Sequence, residues 1–286
     1  MASDVWAFSP PHYLLTRTRL GRVVESQFSL TQFKSEVDGR SVAYLSGGNG
    51  PLLLFIHGWA VTPVVYRDAL ELAAKAGNRV IAPFLPGFGP SEPLDRFWQS
   101  SLSVGRWISA FLDQVGEERP AIVIGHSLGG GFAASYAAHF PSGIEKLYLM
   151  SSVGGYAIRE DFPLQSRSAL QWSLSLPLDL LASQATYGGM ISIVGTGLVQ
   201  LVRDPIGLWR LSRIARDYRL FDELDKILAS GTQVFVVGAL SDRVITQDAV
   251  SRLAGYASVA PIWVSGTHSW ISTHPMSFVE VLTSGP

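Results

Sequence analysis

A net charge of −1 over 286 residues gives this chain no electrostatic basis for binding nucleic acid. Its charged fraction is 16%, below the roughly 25% of a typical soluble domain, so the excess apolar surface must be buried or must contact an apolar ligand or a lipid surface. The absence of cysteine excludes disulfides, thiol nucleophiles and cysteine metal ligands.

Residues 1–27 are irregular and carry several arginines. They have neither the basic segment nor the apolar core of a secretion signal, and Pro10-Pro11 interrupts them early. We interpret them as an N-terminal extension that lies on the domain, and we expect a cytoplasmic protein or one bound peripherally to a membrane.

Beyond residue 27, short apolar runs alternate with amphipathic segments. Strands are predicted at 28–37, 40–45, 52–56, 79–84, 121–126, 146–150, 233–237 and 261–264. Helices are predicted at 65–76, 102–115, 128–139, 246–254 and 275–283. Asp38-Gly39 is a hairpin signal between the first two strands. Two antiparallel strands followed by repeated β–α units predict an α/β fold, a mostly parallel sheet with helices on both faces.

Residues 154–230 interrupt this alternation, because they contain helical patterns and no convincing strand. An insertion at this point would lie above the carboxyl ends of the strands, where open α/β sheets bind ligands. The segment 180–202 has no charged side chain, but its polar residues and four glycines make it a poor membrane span. We therefore predict a helical lid over an apolar cavity. Its candidate pocket residues are Trp172, Met190, Ile193 and Leu198.

The segment Gly125-His126-Ser127-Leu128-Gly129 stands between a predicted strand and a predicted helix and matches G-x-S-x-G. A serine at such a sharp turn is presented as a nucleophile, and the two glycines remove Cβ atoms that would collide with the helix and the neighbouring strand. The helix N-terminus also favours developing negative charge. The alternative is a glycine-softened junction with an incidental serine, but the strand–motif–helix context favours Ser127 as a nucleophile.

A nucleophilic serine needs a base, and the base needs an orienting group. His268 directly follows the last predicted strand and Asp242 directly follows the strand before it, so both should lie at the same sheet edge as Ser127. Histidine in a loop and aspartate in a turn are common without function. The chain order Ser, Asp, His nevertheless agrees with a catalytic triad.

The segment His57-Gly58-Trp59 follows the strand at 52–56. Gly58 permits a turn that directs a backbone N–H inward. We assign the donors of an oxyanion hole to the backbone N–H groups of Trp59 and Leu128, each worth roughly 3 kcal/mol of activation barrier. Taken alone, His57-Gly58 is more typical of a plain strand-exit turn.

Together with the loop Pro86-Gly-Phe-Gly-Pro-Ser91, these motifs resemble the α/β-hydrolase superfamily, in particular its serine esterases and lipases with a lid. The resemblance covers roughly residues 28–283. It implies an eight-stranded sheet with a core at 28–153 and 231–286 and a lid at 154–230, after the sixth strand. Phe84 stands where members often carry an acid that anchors the loop. The serine at 127 differs from the aspartate of the dehalogenases and epoxide hydrolases of this fold.

The expected reaction is hydrolysis of a small-molecule carboxylic ester with an apolar acyl or alcohol part, through an acyl-enzyme. It requires no metal and no organic cofactor. Thioester hydrolysis and cleavage of C–C bonds beside a carbonyl use the same residues and are alternatives. A ligand receptor that keeps the triad and signals through its lid is an alternative of another class. The apolar lid is also a candidate for contact with a lipid surface.

Overall fold

The computed structural model describes residues 28–155 and 220–283. The predicted N-terminal extension, most of the predicted lid and the four candidate pocket residues Trp172, Met190, Ile193 and Leu198 lie outside these ranges. The described residues contain the sheet, the helices that flank it, and every residue predicted to take part in the chemistry.

Eight strands form one sheet in the order β1-β2-β4-β3-β5-β6-β7-β8. They are β1 Thr31–Val37, β2 Arg40–Gly47, β3 Leu52–Ile56, β4 Arg79–Pro83, β5 Ile122–His126, β6 Lys146–Met150, β7 Gln233–Ala239 and β8 Ile262–Val264. β2 is antiparallel to both of its neighbours, and every other pair is parallel. The predicted α/β fold with a mostly parallel, eight-stranded sheet is confirmed.

Five of the seven described helices lie where apolar periodicity predicted them. The seven are α1 Arg67–Lys75, α2 Ser101–Gln114, α3 Leu128–His139, α4 Phe221–Ala229, α5 Gln247–Tyr256, α6 Trp270–Thr273 and α7 Pro275–Thr283. The two exceptions are α4, which falls in the predicted lid, and α6. The side chain of Ser100 caps α2 and that of Thr246 caps α5, each by accepting a backbone N–H. The four-residue α6 and the 3₁₀ turns Pro63–Tyr66 and Asp95–Trp98 are too short to show a helical period and were not predicted.

Helices cover both faces of the sheet and enclose two apolar clusters. α2, α3, α4 and α5 bury their apolar residues in one cluster, and α1, α6 and α7 bury theirs in the other. All five residues of β3 are buried, and the consecutive Leu53 and Leu54 belong to opposite clusters. Successive side chains of a strand point to opposite faces, so a strand covered on both faces has a continuous apolar sequence.

The loop after β4 is anchored without the acid that related proteins often carry. The Ser91 hydroxyl donates to the Phe84 carbonyl at 2.8 Å and accepts the Ala43 N–H at 3.0 Å. Phe84 is buried, and a Cβ at Gly89 would lie 2.7 Å from its ring. A serine hydroxyl and close aromatic packing therefore hold this loop.

α4 falls inside the range 154–230 that was predicted as a lid, yet it packs on α3 of the core. Its Leu224 and Ile227 are buried in the same cluster as the apolar face of α3. Among the described residues, no helix combines the length and the apolar character needed to cross a bilayer.

Candidate active site

Ser127 occupies the turn between β5 and α3 with a backbone conformation of φ 57° and ψ −121°. A non-glycine residue at such a positive φ costs about 1–3 kcal/mol and persists only where its surroundings hold it. Here the Ser127 N–H donates to the Met150 carbonyl at 3.0 Å. The Ser127 carbonyl accepts the N–H groups of Gly130 at 3.0 Å and Val153 at 3.2 Å. Hydrogen bonds at both the N–H and the carbonyl of Ser127 therefore hold the strained conformation.

The glycines around Ser127 stand where the Cβ atom of any other residue would collide with neighbouring atoms. A Cβ at Gly125 would lie 2.2 Å from the Gly129 carbonyl oxygen, in the first turn of α3. A Cβ at Gly129 would lie 2.2 Å from the Ile56 carbonyl oxygen, at the end of β3. A Cβ at Gly130 would lie 2.1 Å from Ser152 Oγ. The helix and the neighbouring strand are thus the two neighbours that the pattern predicted.

Asp242 and His268 form a buried hydrogen-bonded pair. His268 Nδ1 lies 2.8 Å from Asp242 Oδ2, and Asp242 Oδ1 accepts the N–H groups of Val244 and Ile245, both at 2.8 Å. Burial raises the pKa of Asp242, but the charge of His268 and these three hydrogen bonds outweigh it and leave the pKa below its ordinary value. The carboxylate is therefore ionised and accepts the Nδ1 proton, which leaves the lone pair of His268 on Nε2.

Ser127 and His268 line the same cleft, at the carboxyl ends of the parallel strands. The cleft is partly open to solvent, and the roughly 470 Å³ of space between its walls includes that open part. Trp59 also lines the cleft. Asp242 lies behind the ring of His268, to which it is hydrogen-bonded. Leu128 is the first residue of α3, so its backbone N–H has no acceptor within the helix. The other lining residues are Gly58, Val61, Val65, Tyr66, His126, Val244, Ser269 and Ser272.

His57 orients the peptide that carries the Trp59 N–H. Its Nδ1 lies 2.8 Å from the Gly58 carbonyl, and its Nε2 accepts the Leu85 N–H at 3.1 Å. Burial lowers the pKa of His57 to about 4, so the ring is neutral with its proton on Nδ1. In a trans peptide the C=O and the next N–H point in opposite directions, so the Trp59 N–H points away from His57. Sequence reasoning treated His57 as a turn residue and missed this contact.

His126 and Tyr66, which also line the cleft, form a second buried polar group. His126 Nδ1 lies 2.9 Å from the Tyr66 hydroxyl, and its Nε2 lies 3.0 Å from the backbone carbonyl of His268. Burial, together with the neighbouring charge of His268, lowers the pKa of His126 to about 3. Burial also raises the pKa of Tyr66. Neither side chain was singled out from the sequence, because nothing local marks Tyr66 as a partner of a residue 60 positions away.

Residues 51–184 match the family model of the α/β hydrolase fold. A putative non-heme haloperoxidase of Mycobacterium phage D29 is 25% identical over 247 residues, which are 83% of this chain and 88% of that protein. The pimeloyl-[acyl-carrier protein] methyl ester esterase of Shewanella woodyi is 33% identical over 114 residues, 40% of this chain and 41% of the esterase. Among solved structures, a membrane phospholipase A described as a bacterial virulence factor superposes with a TM-score of 0.71 at 20% identity, over 91% of this chain and 88% of that one.

The matched family model, the eight-stranded sheet and the serine turn between β5 and α3 agree with one another. Residues 51–184 are therefore similar to this family, and the described part of the chain has the α/β-hydrolase fold.

Proposed function

We propose that this protein is a serine hydrolase that cleaves carboxylic esters with an apolar acyl or alcohol part. The observation that carries the proposal is the buried Asp242–His268 pair in the cleft that Ser127 lines. An imidazole held by a carboxylate through Nδ1 has its basic Nε2 available for a serine hydroxyl. The superfamily and the esterase relative support hydrolysis as the general reaction.

In the proposed reaction, Ser127 Oγ attacks the acyl carbon of the ester while His268 Nε2 takes the hydroxyl proton. The tetrahedral intermediate then collapses, the C–O bond to the alcohol breaks, and the alcohol leaves with the proton from His268. Water attacks the acyl-enzyme by the same route and releases the carboxylic acid and Ser127. Asp242 stays ionised throughout and stabilises the imidazolium that forms in each half.

The negative oxygen of each intermediate would be bound by the backbone N–H groups of Trp59 and Leu128. The orientation of the Gly58–Trp59 peptide and the position of Leu128 at the start of α3 support this assignment. Backbone donors fixed before the substrate arrives require no reorganisation during the reaction. Loss of one such donor costs roughly 3 kcal/mol of activation barrier.

The preference for an apolar substrate is supported by the cleft wall, where Val61, Val65 and Val244 lie beside the polar groups. We propose that the part of the segment 154–230 that precedes α4 covers this cleft as a lid and that it also contacts lipid surfaces. In this proposal Trp172, Met190, Ile193 and Leu198 line the part of the pocket that binds the apolar chain.

The test uses a fluorophosphonate probe and a series of p-nitrophenyl esters of increasing acyl length. Ser127→Ala should abolish both covalent labelling and turnover, because it removes only the attacking hydroxyl. Ser272→Ala is the matched control, since Ser272 lines the same cleft and its hydroxyl donates to the Ser269 carbonyl. It should keep labelling and turnover. Labelling that survives in Ser127→Ala would refute the nucleophile.

The same panel separates the alternatives. An esterase turns over p-nitrophenyl esters quickly, whereas a receptor that keeps the triad hydrolyses them very slowly. Matched oxygen and sulfur esters of one acyl group distinguish an esterase from a thioesterase. A 1,3-diketone that cannot undergo ester cleavage reports C–C hydrolysis. Fast turnover of the diketone alone would reject the ester proposal.

A further inference from the structure

The loop that carries His268 is attached to the serine turn by a side chain outside the proposed triad. His126 immediately precedes Ser127, and its Nε2 lies 3.0 Å from the backbone carbonyl of His268. The two imidazole rings are 4.8 Å apart. His126 is 4% exposed, so water does not compete for this bond. One buried hydrogen bond therefore joins His126, the residue before the proposed nucleophile, to the backbone of His268, whose side chain is the proposed base.

The partners of His126 determine which of its ring nitrogens carries the proton. A backbone carbonyl can only accept, so the bond to His268 requires a proton on Nε2. Nδ1 of the neutral ring must then accept, and the Tyr66 hydroxyl at 2.9 Å is its donor. A His126 with its proton on Nδ1 would point a lone pair at the His268 carbonyl. The Tyr66 hydroxyl therefore favours the tautomer that binds the base loop.

We propose that His126 and Tyr66 are positioning residues: the His126 Nε2–H holds the His268 loop at a fixed distance from Ser127, and the Tyr66 hydroxyl keeps His126 in the tautomer that does so. The proposal rests on the proposed function, since it assigns His268 as the base. Tyr66 ends the 3₁₀ turn that follows the Gly58–Trp59 loop, so the same contacts join the three segments that would supply nucleophile, base and oxyanion donors.

The ionisable groups around His126 favour a neutral ring on balance. The described ionisable side chains that act on it are Tyr66 at Nδ1, His268 beside the ring and Asp242 behind His268. Asp242 favours an imidazolium, but burial and His268 outweigh it. His126 should therefore stay neutral, as one tautomer, across the range from about pH 5 to 8 in which histidines ordinarily titrate.

The first experiment reads the tautomers directly in the wild-type protein, with ¹⁵N-labelled histidine and two-bond ¹⁵N–¹H correlation spectra. His126 should carry its proton on Nε2. His57 is the internal control, because its bond to the Gly58 carbonyl requires the proton on Nδ1. A proton on Nδ1 of His126, or an imidazolium at about pH 6, would overturn the proposal. This result does not depend on whether the protein is an esterase.

The second experiment compares two amide variants that each keep one of the two bonds. In His126→Gln the amide nitrogen takes the place of Nε2 and can still donate to His268. In His126→Asn the amide oxygen takes the place of Nδ1 and can still accept from Tyr66. The proposal expects His126→Gln to retain a kcat within about tenfold of wild type and His126→Asn to lose about a hundredfold, with KM for a short ester nearly unchanged. Equal losses in both variants, or a larger loss in His126→Gln, would overturn it.

The third comparison isolates the Tyr66 hydroxyl. Tyr66→Phe should lower kcat about fivefold to tenfold, the size of one hydrogen bond, with little change in KM. Tyr148→Phe is the matched control, because the Tyr148 hydroxyl is buried without a hydrogen-bond partner in the described residues. Thermal melts accompany each variant. A kcat equal to wild type in Tyr66→Phe, or a loss that melting alone explains, would refute the tautomer role. Failure of the proposed function appears separately, as an active Ser127→Ala.

Discussion

Mild acid should destabilise this protein through two buried histidines. The pKa is about 4 for His57 and about 3 for His126 in the folded state, because burial disfavours the charged ring, against an ordinary value of 6.5 in the unfolded chain. Below about pH 6.5 the unfolded state therefore binds two protons that the folded state does not bind. The free energy of unfolding consequently decreases as the pH is lowered. The loss runs from about pH 6.5 down to about pH 4 for His57 and about pH 3 for His126.

The magnitude follows from these pKa values. A pH of about 5 lies roughly 1.5 units below the pKa of histidine in the unfolded chain. Protonation of the unfolded state therefore lowers the free energy of unfolding by about 2 kcal/mol per ring and about 4 kcal/mol for both. The slope of the free energy of unfolding against pH approaches about 2.7 kcal/mol per pH unit, which corresponds to the uptake of roughly two protons on unfolding. The whole free energy of unfolding of a typical domain is about 5–15 kcal/mol. The partly buried His139, whose pKa burial also lowers, acts in the same direction. Asp242 acts only in stronger acid, because its pKa is below its ordinary 3.8.

Urea unfolding followed by far-ultraviolet circular dichroism at about pH 7.5, 6 and 5 measures this loss. His126→Gln should reduce the slope by about one proton, because one of the two rings is gone. A variant at the exposed His274 is the control, since solvent reaches that ring in both states. An unfolding free energy that stays constant between about pH 7 and 5 would show that the two rings accept protons in the folded protein, and would refute the reasoning.

Gly129→Ala should prevent folding, because its Cβ meets backbone, whereas Gly255→Ala, exposed in α5 with open space around it, should raise the free energy of unfolding by up to about 1 kcal/mol. Thermal melts of the two variants test this contrast, and a folded Gly129→Ala would contradict it. Asp242→Asn should lower kcat up to about 10⁴-fold, and adding it to a variant without His268 should cost little more; additive losses would argue against one shared step. If the proposed lid lines the pocket, Ile193→Asn and Leu198→Asn should flatten the several-fold rise in kcat/KM expected for each added methylene, about 0.8 kcal/mol of burial. A lower melting temperature with an unchanged chain-length profile would show packing alone.

The local sequence was sufficient to predict the sheet and the positions of the candidate residues on it. β3 has five consecutive apolar residues because both of its faces are covered, and this pattern is visible without a structure. Gly125 and Gly129 mark the serine turn because backbone atoms only a few positions away, or at the end of the adjacent strand, exclude a Cβ. Asp242 and His268 each follow a strand, and parallel strands end at one edge, so the two were expected to meet there.

Only the tertiary structure decided how the buried rings are connected. Tyr66 and His126 are 60 residues apart, and His126 and the His268 carbonyl are 142 residues apart. No periodicity or motif encodes such a pairing, because it depends on how α1, the 3₁₀ turn before it and the loop after β8 pack on the sheet. The tautomers of His57 and His126 have the same origin. Each ring has two nitrogens of similar chemistry, and the proton goes to the one that faces a carbonyl, which long-range packing alone determines.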